Sequence, residues 1–336
     1  MSASQTASAP FNDTRADIIL RTSDGMNFHV FNIILSLASP IFADMFKTSH
    51  PAFGCKLPIV TISEDSKTLD LALRHLYPVK SPTSTGVELR DARILAEFAR
   101  KYRVEGLDGV IWCYTTDAIE TDPVGAYAIA VTYGHKGIGA RAARSTLKHP
   151  ISRLQSPHLQ FTTAELYEQL IQYHTACGAA ASAVASEREW FSRNNAISTG
   201  HNDNLKCQSC PTLDFIGGLL DKTPLPPSSV QRTGGAIGSL GSFGGYSVSS
   251  STGPRYGPRC LWNYLLRSAF ILAHHPAAEA VTAKDFVLKS LKCPTCPSGI
   301  QRDLLEFSQI FGTEIKKAVE KVSVLPWLQS HVGVAP

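Results

Sequence analysis

Apolar and polar positions alternate along Ile18–Arg21 and again around Phe28 and Val30, with Ser23-Asp24-Gly25 between them. Period two with an Asp-Gly turn predicts a β-hairpin: Gly tolerates positive φ, and Asp bonds the backbone locally. The period then changes. Ile33, Ile34 and Leu37 fit a short helix, and Ser39-Pro40 ends it and starts another, because Ser caps and Pro suits a first helical position. Ile41, Phe42, Met45 and Phe46 form the apolar face of that second helix. Pro58–Ile62 reads as a strand. Leu69, Ala72, Leu73 and Leu76 mark a helix that Pro78 stops. Ile94, Leu95, Phe98, Ala99 and Tyr102 mark another, and a further helix is expected from about Val104 to Ile119.

Beyond Ile119 the pattern is helical throughout. Asp122-Pro123 is a cap followed by Pro, and it opens a helical hairpin through AYAIAVTYG and RAARSTLKH. Thr162 and Glu165 stand at capping-box spacing ahead of Leu166, Leu170 and Tyr173, in a helix that runs toward CGAAASAVASEREWF. From about Thr223 to Pro258 Gly, Ser and Pro dominate, which predicts a flexible insertion. GGAIGSLGSFGG lacks the Gly-Lys-Ser/Thr of a phosphate loop and reads as linker. Order returns with Leu261 to Phe270, ending near His274-His275-Pro276. Two further helices are expected near Ala278–Leu291 and Gln301–Val322.

The expected class is α+β. Residues 1–15 are a disordered N-terminus, 16–119 a mixed domain with a small sheet and a helical cluster, 120–222 a helical region, 223–258 the flexible segment and 259–330 a C-terminal helical region. The 336 residues suit about two domains, and 43% apolar with 18% charged residues supplies real cores. A net charge of +4, scattered, gives no basic stripe interleaved with aromatics, so nucleic acid is not an expected partner. No run is long and apolar enough for a membrane helix, and the start of the chain is small and polar. An intracellular location, cytoplasmic or nuclear, is expected, with reduced thiols.

Strand, turn, strand, helix, Ser-Pro, helix is the order in which BTB/POZ domains begin. Asp17-Ile18-Ile19-Leu20, Asp24-Gly25, Phe28-His29-Val30, Ile34-Leu35-Ser36 and Ser39-Pro40-Ile41-Phe42 resemble that family's opening, and Met45-Phe46 its next turn. Leu73-Leu76-Tyr77 and Ala99–Val104 with Leu107 resemble its later helices, so the likeness covers about Asp17 to Ile119. Tyr127–Ala130, Ala142-Ala143, Tyr173-His174 and Cys177–Ala180 are similar to a group of BTB proteins from mushroom-forming fungi. The resemblance implies a non-enzymatic interaction module that pairs with itself or with another protein. It also implies the alternative of a substrate adaptor for a cullin-type ubiquitin ligase. It places the interaction surface around Asp17, Phe28, Val30, Phe42, Met45 and Phe46. Two departures bear on these modes. Asn32 stands where many members carry a basic partner for the residue matched by Asp17. The loop PVKSPTSTG lacks the hydrophobic-x-Glu pattern that favours cullin binding.

One cluster points to chemistry. Cys207 and Cys210, with Cys293 and Cys296, form two CxxC pairs, each followed by Pro. Two such knuckles can set four thiolates around a structural zinc, and a closed set of four leaves no position for substrate. The chain distance between them does not forbid the site, since loop-closure cost grows only logarithmically. The alternatives are a redox dithiol and two unrelated surface turns. His201 and the His174/Cys177 pair are substitute ligands. No Ser/His/Asp order matches a hydrolase elbow.

Overall fold

The computed structural model describes residues 5–49, 57–79, 88–186, 259–291 and 298–324. The protein is α+β: mostly helical, with one small mixed sheet of four strands. The strands are β1 (Gln5–Thr6), β2 (Ile18–Arg21), β3 (Met26–Val30) and β4 (Ile59–Thr61), in the order β1-β3-β2-β4. The hairpin partners are antiparallel, with Ile18 opposite Val30 and Leu20 opposite Phe28. β1 and β4 flank them in parallel. The register puts Ile18, Leu20, Phe28 and Val30 together on the buried face, which is what period two requires of a half-covered sheet. Gly25 turns the hairpin at φ +84°, a conformation Cβ-bearing residues resist.

Residues 1–15 were expected to be disordered. From Gln5 onward the structure corrects this. Gln5 and Thr6 pair with Met26 and Asn27, the His29 N–H donates to the Phe11 carbonyl at 2.9 Å, and Phe11 is fully buried against Phe28 and Tyr77. A single aromatic anchor orders a polar segment because its burial offsets the entropy of the residues around it.

Helices α1 (Asn32–Ala38) and α2 (Pro40–Lys47) follow the hairpin directly. After β4 come α3 (Ser66–Leu76), α4 (Leu89–Tyr102) and α5 (Asp108–Asp117), a 3-10 turn at Glu105–Leu107 joining the last two. Their apolar faces, among them Leu35, Phe42, Leu69, Leu73, Leu95, Phe98 and Leu107, share one core with the sheet. Next are α6 (Pro123–Thr132) and α7 (Lys136–Thr146), which pack closely because Ala and Gly line both. A Cβ at Gly139 would stand 3.0 Å from Val131 Cγ1. Asp122 caps α6 by accepting from the Gly125 N–H at 2.8 Å. α8 (Ala164–Val184) is capped by Thr163, which accepts from the Leu166 N–H. The expected cap, Thr162, instead hydrogen-bonds Thr132.

By contacts the chain divides inside α8: one compact unit runs to Gly178 and takes in the tail from Glu320, and the other runs from Ala179 to Val319. The first unit thus holds α6 and α7 together with the sheet and α1–α5. The second contains α9 (Arg259–His274), α10 (Glu279–Thr282), α11 (Lys284–Leu288) and, up to Val319, α12 (Ser298–Glu320). Tyr264 is its centre: fully buried, ringed by Phe286, Phe307 and Phe311, with its hydroxyl donating to the Val281 carbonyl at 3.0 Å. The helix expected near Ala278–Leu291 is broken in two at Ala283, whose backbone is extended at ψ 132°. The segment 223–258 lies outside the described residues. Among the described residues no helix is long and apolar enough to cross a membrane.

Candidate interaction surface and polar groove

The end of the sheet where β3 passes into α1 is built by three long-range hydrogen bonds. The Asp17 carboxylate accepts from the Asn32 N–H at 2.7 Å, at the start of α1. The Tyr77 hydroxyl accepts from the Phe31 N–H at 2.8 Å. Ser39 accepts from the Phe42 N–H at 3.0 Å and donates to the Tyr102 carbonyl. Each partner satisfies a backbone group that a helix terminus leaves open. α1 is therefore pinned at both ends, while only Leu35 among its residues is buried. Ile33 and Leu37, one turn apart, are 63% and 81% exposed. They form an apolar outer face on a rigidly held helix.

The six residues expected at an interaction surface fall into two groups. Phe28, Val30, Phe42 and Phe46 lie in the core, none more than 6% exposed, so their side chains face the fold and not a partner. Phe42 stacks on Tyr102 at 4.4 Å between ring centroids and packs near Phe98. Asp17 is exposed but holds α1, and Met45 is half-buried against the core. The correction has a simple physical reason. Periodicity marks apolar residues, and in this short hairpin and α2 those residues build the core. The uncovered apolar pair is on α1, where Ile33, Ile34, Leu35 and Leu37 surround the helix axis and one face alone can be covered.

Cys207, Cys210, Cys293 and Cys296 lie outside the described residues, as does His201. Among the described residues no group of three or more His, Cys, Asp or Glu side chains is arranged to hold a metal ion. His174 and Cys177 both lie buried on α8, with His174 Nε2 at 3.0 Å from the His149 carbonyl oxygen. Burial pushes the Cys177 thiol up to about 11, which suits a core residue and not a nucleophile. Cys113 is exposed.

A second feature was not expected from the sequence. A groove of about 740 Å³ lies between the approach to α3 and the length of α4. Ser23, Ser63, Glu64, Asp65 and Thr68 line one wall, and Arg90, Arg93, Glu97, Arg100 and Lys101 line the other. Glu64 accepts from the Tyr102 hydroxyl at 2.5 Å and pairs with Lys101. Burial, with Glu64 beside it, raises the Tyr102 phenol well above its ordinary range. Asp65 caps α3 through the Thr68 N–H at 2.8 Å. Arg93 pairs with Glu97 at 2.7 Å and covers the Phe161 ring at 3.8 Å. The only sequence sign of this groove is the recurrence of Arg90, Arg93, Glu97 and Lys101 on one side of α4.

No protein-family model matches the chain, and no curated protein is recognisably similar to it.

Proposed function

We propose that the first unit is a BTB/POZ-like protein-interaction module that pairs with a second copy of this chain through the outer face of α1. The observation that carries this reading is the exposure of Ile33 and Leu37 on a helix whose ends are anchored by Asp17, Tyr77 and Ser39. An apolar pair at i and i+4 is a natural anchor, since burying each side chain stabilises a complex by about 1.5–3 kcal/mol. A two-fold pairing brings the same patch from both copies together, so one short helix face serves both sides. The anchoring lowers the cost of association, because α1 need not be ordered on binding. The sequence resemblance at Asp17–Phe46 points the same way.

Light scattering on the full chain tests the reading. Twice the chain mass is expected for the wild type, and the chain mass for Leu37→Glu, which puts a charge on the exposed face without touching the core. A monomeric wild type, or a Leu37→Glu variant of unchanged mass, overturns it.

A further inference from the structure

We infer that the groove between α3 and α4 is a docking site for an extended acidic peptide segment of a partner protein. Three observations carry this. First, the cations are not balanced locally. Every carboxylate on the walls is engaged: Glu64 with Lys101 and Tyr102, Asp65 with the Thr68 N–H, Glu97 with Arg93. Arg90 and Arg100, both exposed, have no carboxylate within ion-pair distance among the described residues. Arg100 lies over the Tyr133 ring at 5.6 Å, which holds its stem and leaves the guanidinium without an anion.

Second, the shape suits a chain. Arg90 to Lys101 spans eleven helical steps, about 16 Å. An extended peptide covers that in about five residues. Two acidic side chains four or five residues apart would reach Arg90 and Arg100 together, each as a guanidinium–carboxylate pair. Third, the opposite wall offers short hydroxyl groups, Ser23 and Thr68, suited to the main chain of such a segment. The ion pair Lys101–Glu64 ties the two walls together and Arg93–Glu97 holds side chains of the α4 wall before any ligand arrives, so little ordering is needed.

This inference does not depend on self-pairing through α1, and the experiment separates them. Fluorescence anisotropy with fluorescein-labelled hexa-aspartate and the full chain at low salt should show saturable binding that weakens as salt rises. Arg90→Glu with Arg100→Glu should weaken binding roughly tenfold or more, as for other exposed charge contacts acting together. Arg141→Glu, exposed on α7, should leave it unchanged. Because reversal could disturb α4, the neutral pair Arg90→Gln with Arg100→Gln is measured too, and should weaken binding in the same direction. Leu37→Glu should bind hexa-aspartate as the wild type does, whatever its mass. Unchanged binding in either Arg90/Arg100 variant overturns the inference. So does an equal loss in Arg141→Glu, and so does hexa-thymidylate binding as tightly, which would mean the groove reads charge alone.

Discussion

The hydroxyl of Ser39 reaches a carbonyl 63 residues away in sequence: it accepts from the Phe42 N–H inside α2 and donates to the Tyr102 carbonyl at the close of α4. Ser39 is fully buried, so both groups lose water when the helices pack. Ser39→Ala removes a helix cap and leaves a buried carbonyl without its donor. The expected loss is about 1–3 kcal/mol. Urea unfolding followed by circular dichroism should show the midpoint fall, and Ser39→Thr should recover part of it.

Phe11 gives a second prediction. It is fully buried against Phe28 and Tyr77, and Arg74 lies over its ring at 5.7 Å. Phe11→Ala should destabilise the first unit by about 3–5 kcal/mol, the cost of emptying an aromatic site in a core. Hydrogen exchange should also quicken at Ala7 and His29, whose amides donate to the Asn27 and Phe11 carbonyls between the N-terminal segment and β3. An unaltered midpoint would mean that Phe11 only rests on the surface.

The response to pH has opposite signs at its two ends. Burial pushes the phenols of Tyr77 and Tyr133 up to about 12. A raised phenol makes the unfolded chain the better phenolate, so this stability is complete below the ordinary tyrosine range of about 10 and is lost as pH climbs toward 12. Phenolate absorbance should therefore appear together with loss of helix above pH 10 or so. At the acid end, hydrogen bonds from Ser66 and then Thr22 hold the Asp24 carboxyl down at about 2. That contribution is present above the ordinary carboxylate range of about 4 and fades as pH falls toward 2. Asp24 is exposed, so water screens the effect. Asp24→Asn should flatten the acid limb slightly without moving the alkaline one.

Much of the first unit could be read from the chain because its signals are local. The Asp-Gly turn, the period-two runs, Ser39-Pro40 and Asp122-Pro123 each specify a backbone event within a few residues. What escaped depends on partners distant in sequence. β1 exists only because Met26 and Asn27 offer it an edge, and two residues of strand have no period. Thr163 caps α8 because Thr132 has taken Thr162, a choice made 30 residues upstream. The interaction residues were placed on apolar positions, yet apolarity does not say which face is covered. Phe42 and Leu37 look alike in sequence, and one is wholly buried while the other is 81% exposed. The groove escaped for the same reason, since its walls come from the hairpin turn at Ser23, the residues leading into α3 and the side of α4, which are far apart in sequence.

Gly312 carries a consequence for how the second unit opens. A methyl group there would stand 2.7 Å from Thr282 Cγ2, so α12 and α10 approach with only a hydrogen between them. α10 and α11 have four and five residues, far below the length at which a helix persists alone. α10 survives as a ridge on the flank of a longer rod, where Lys316 of α12 also pairs with Glu279, and α11 is held through Phe286, which packs on Tyr264 of α9. The amides of α10 should exchange with solvent at the pace set by α12 letting go, making residues 279–282 a built-in gauge of that packing rather than a frayed border.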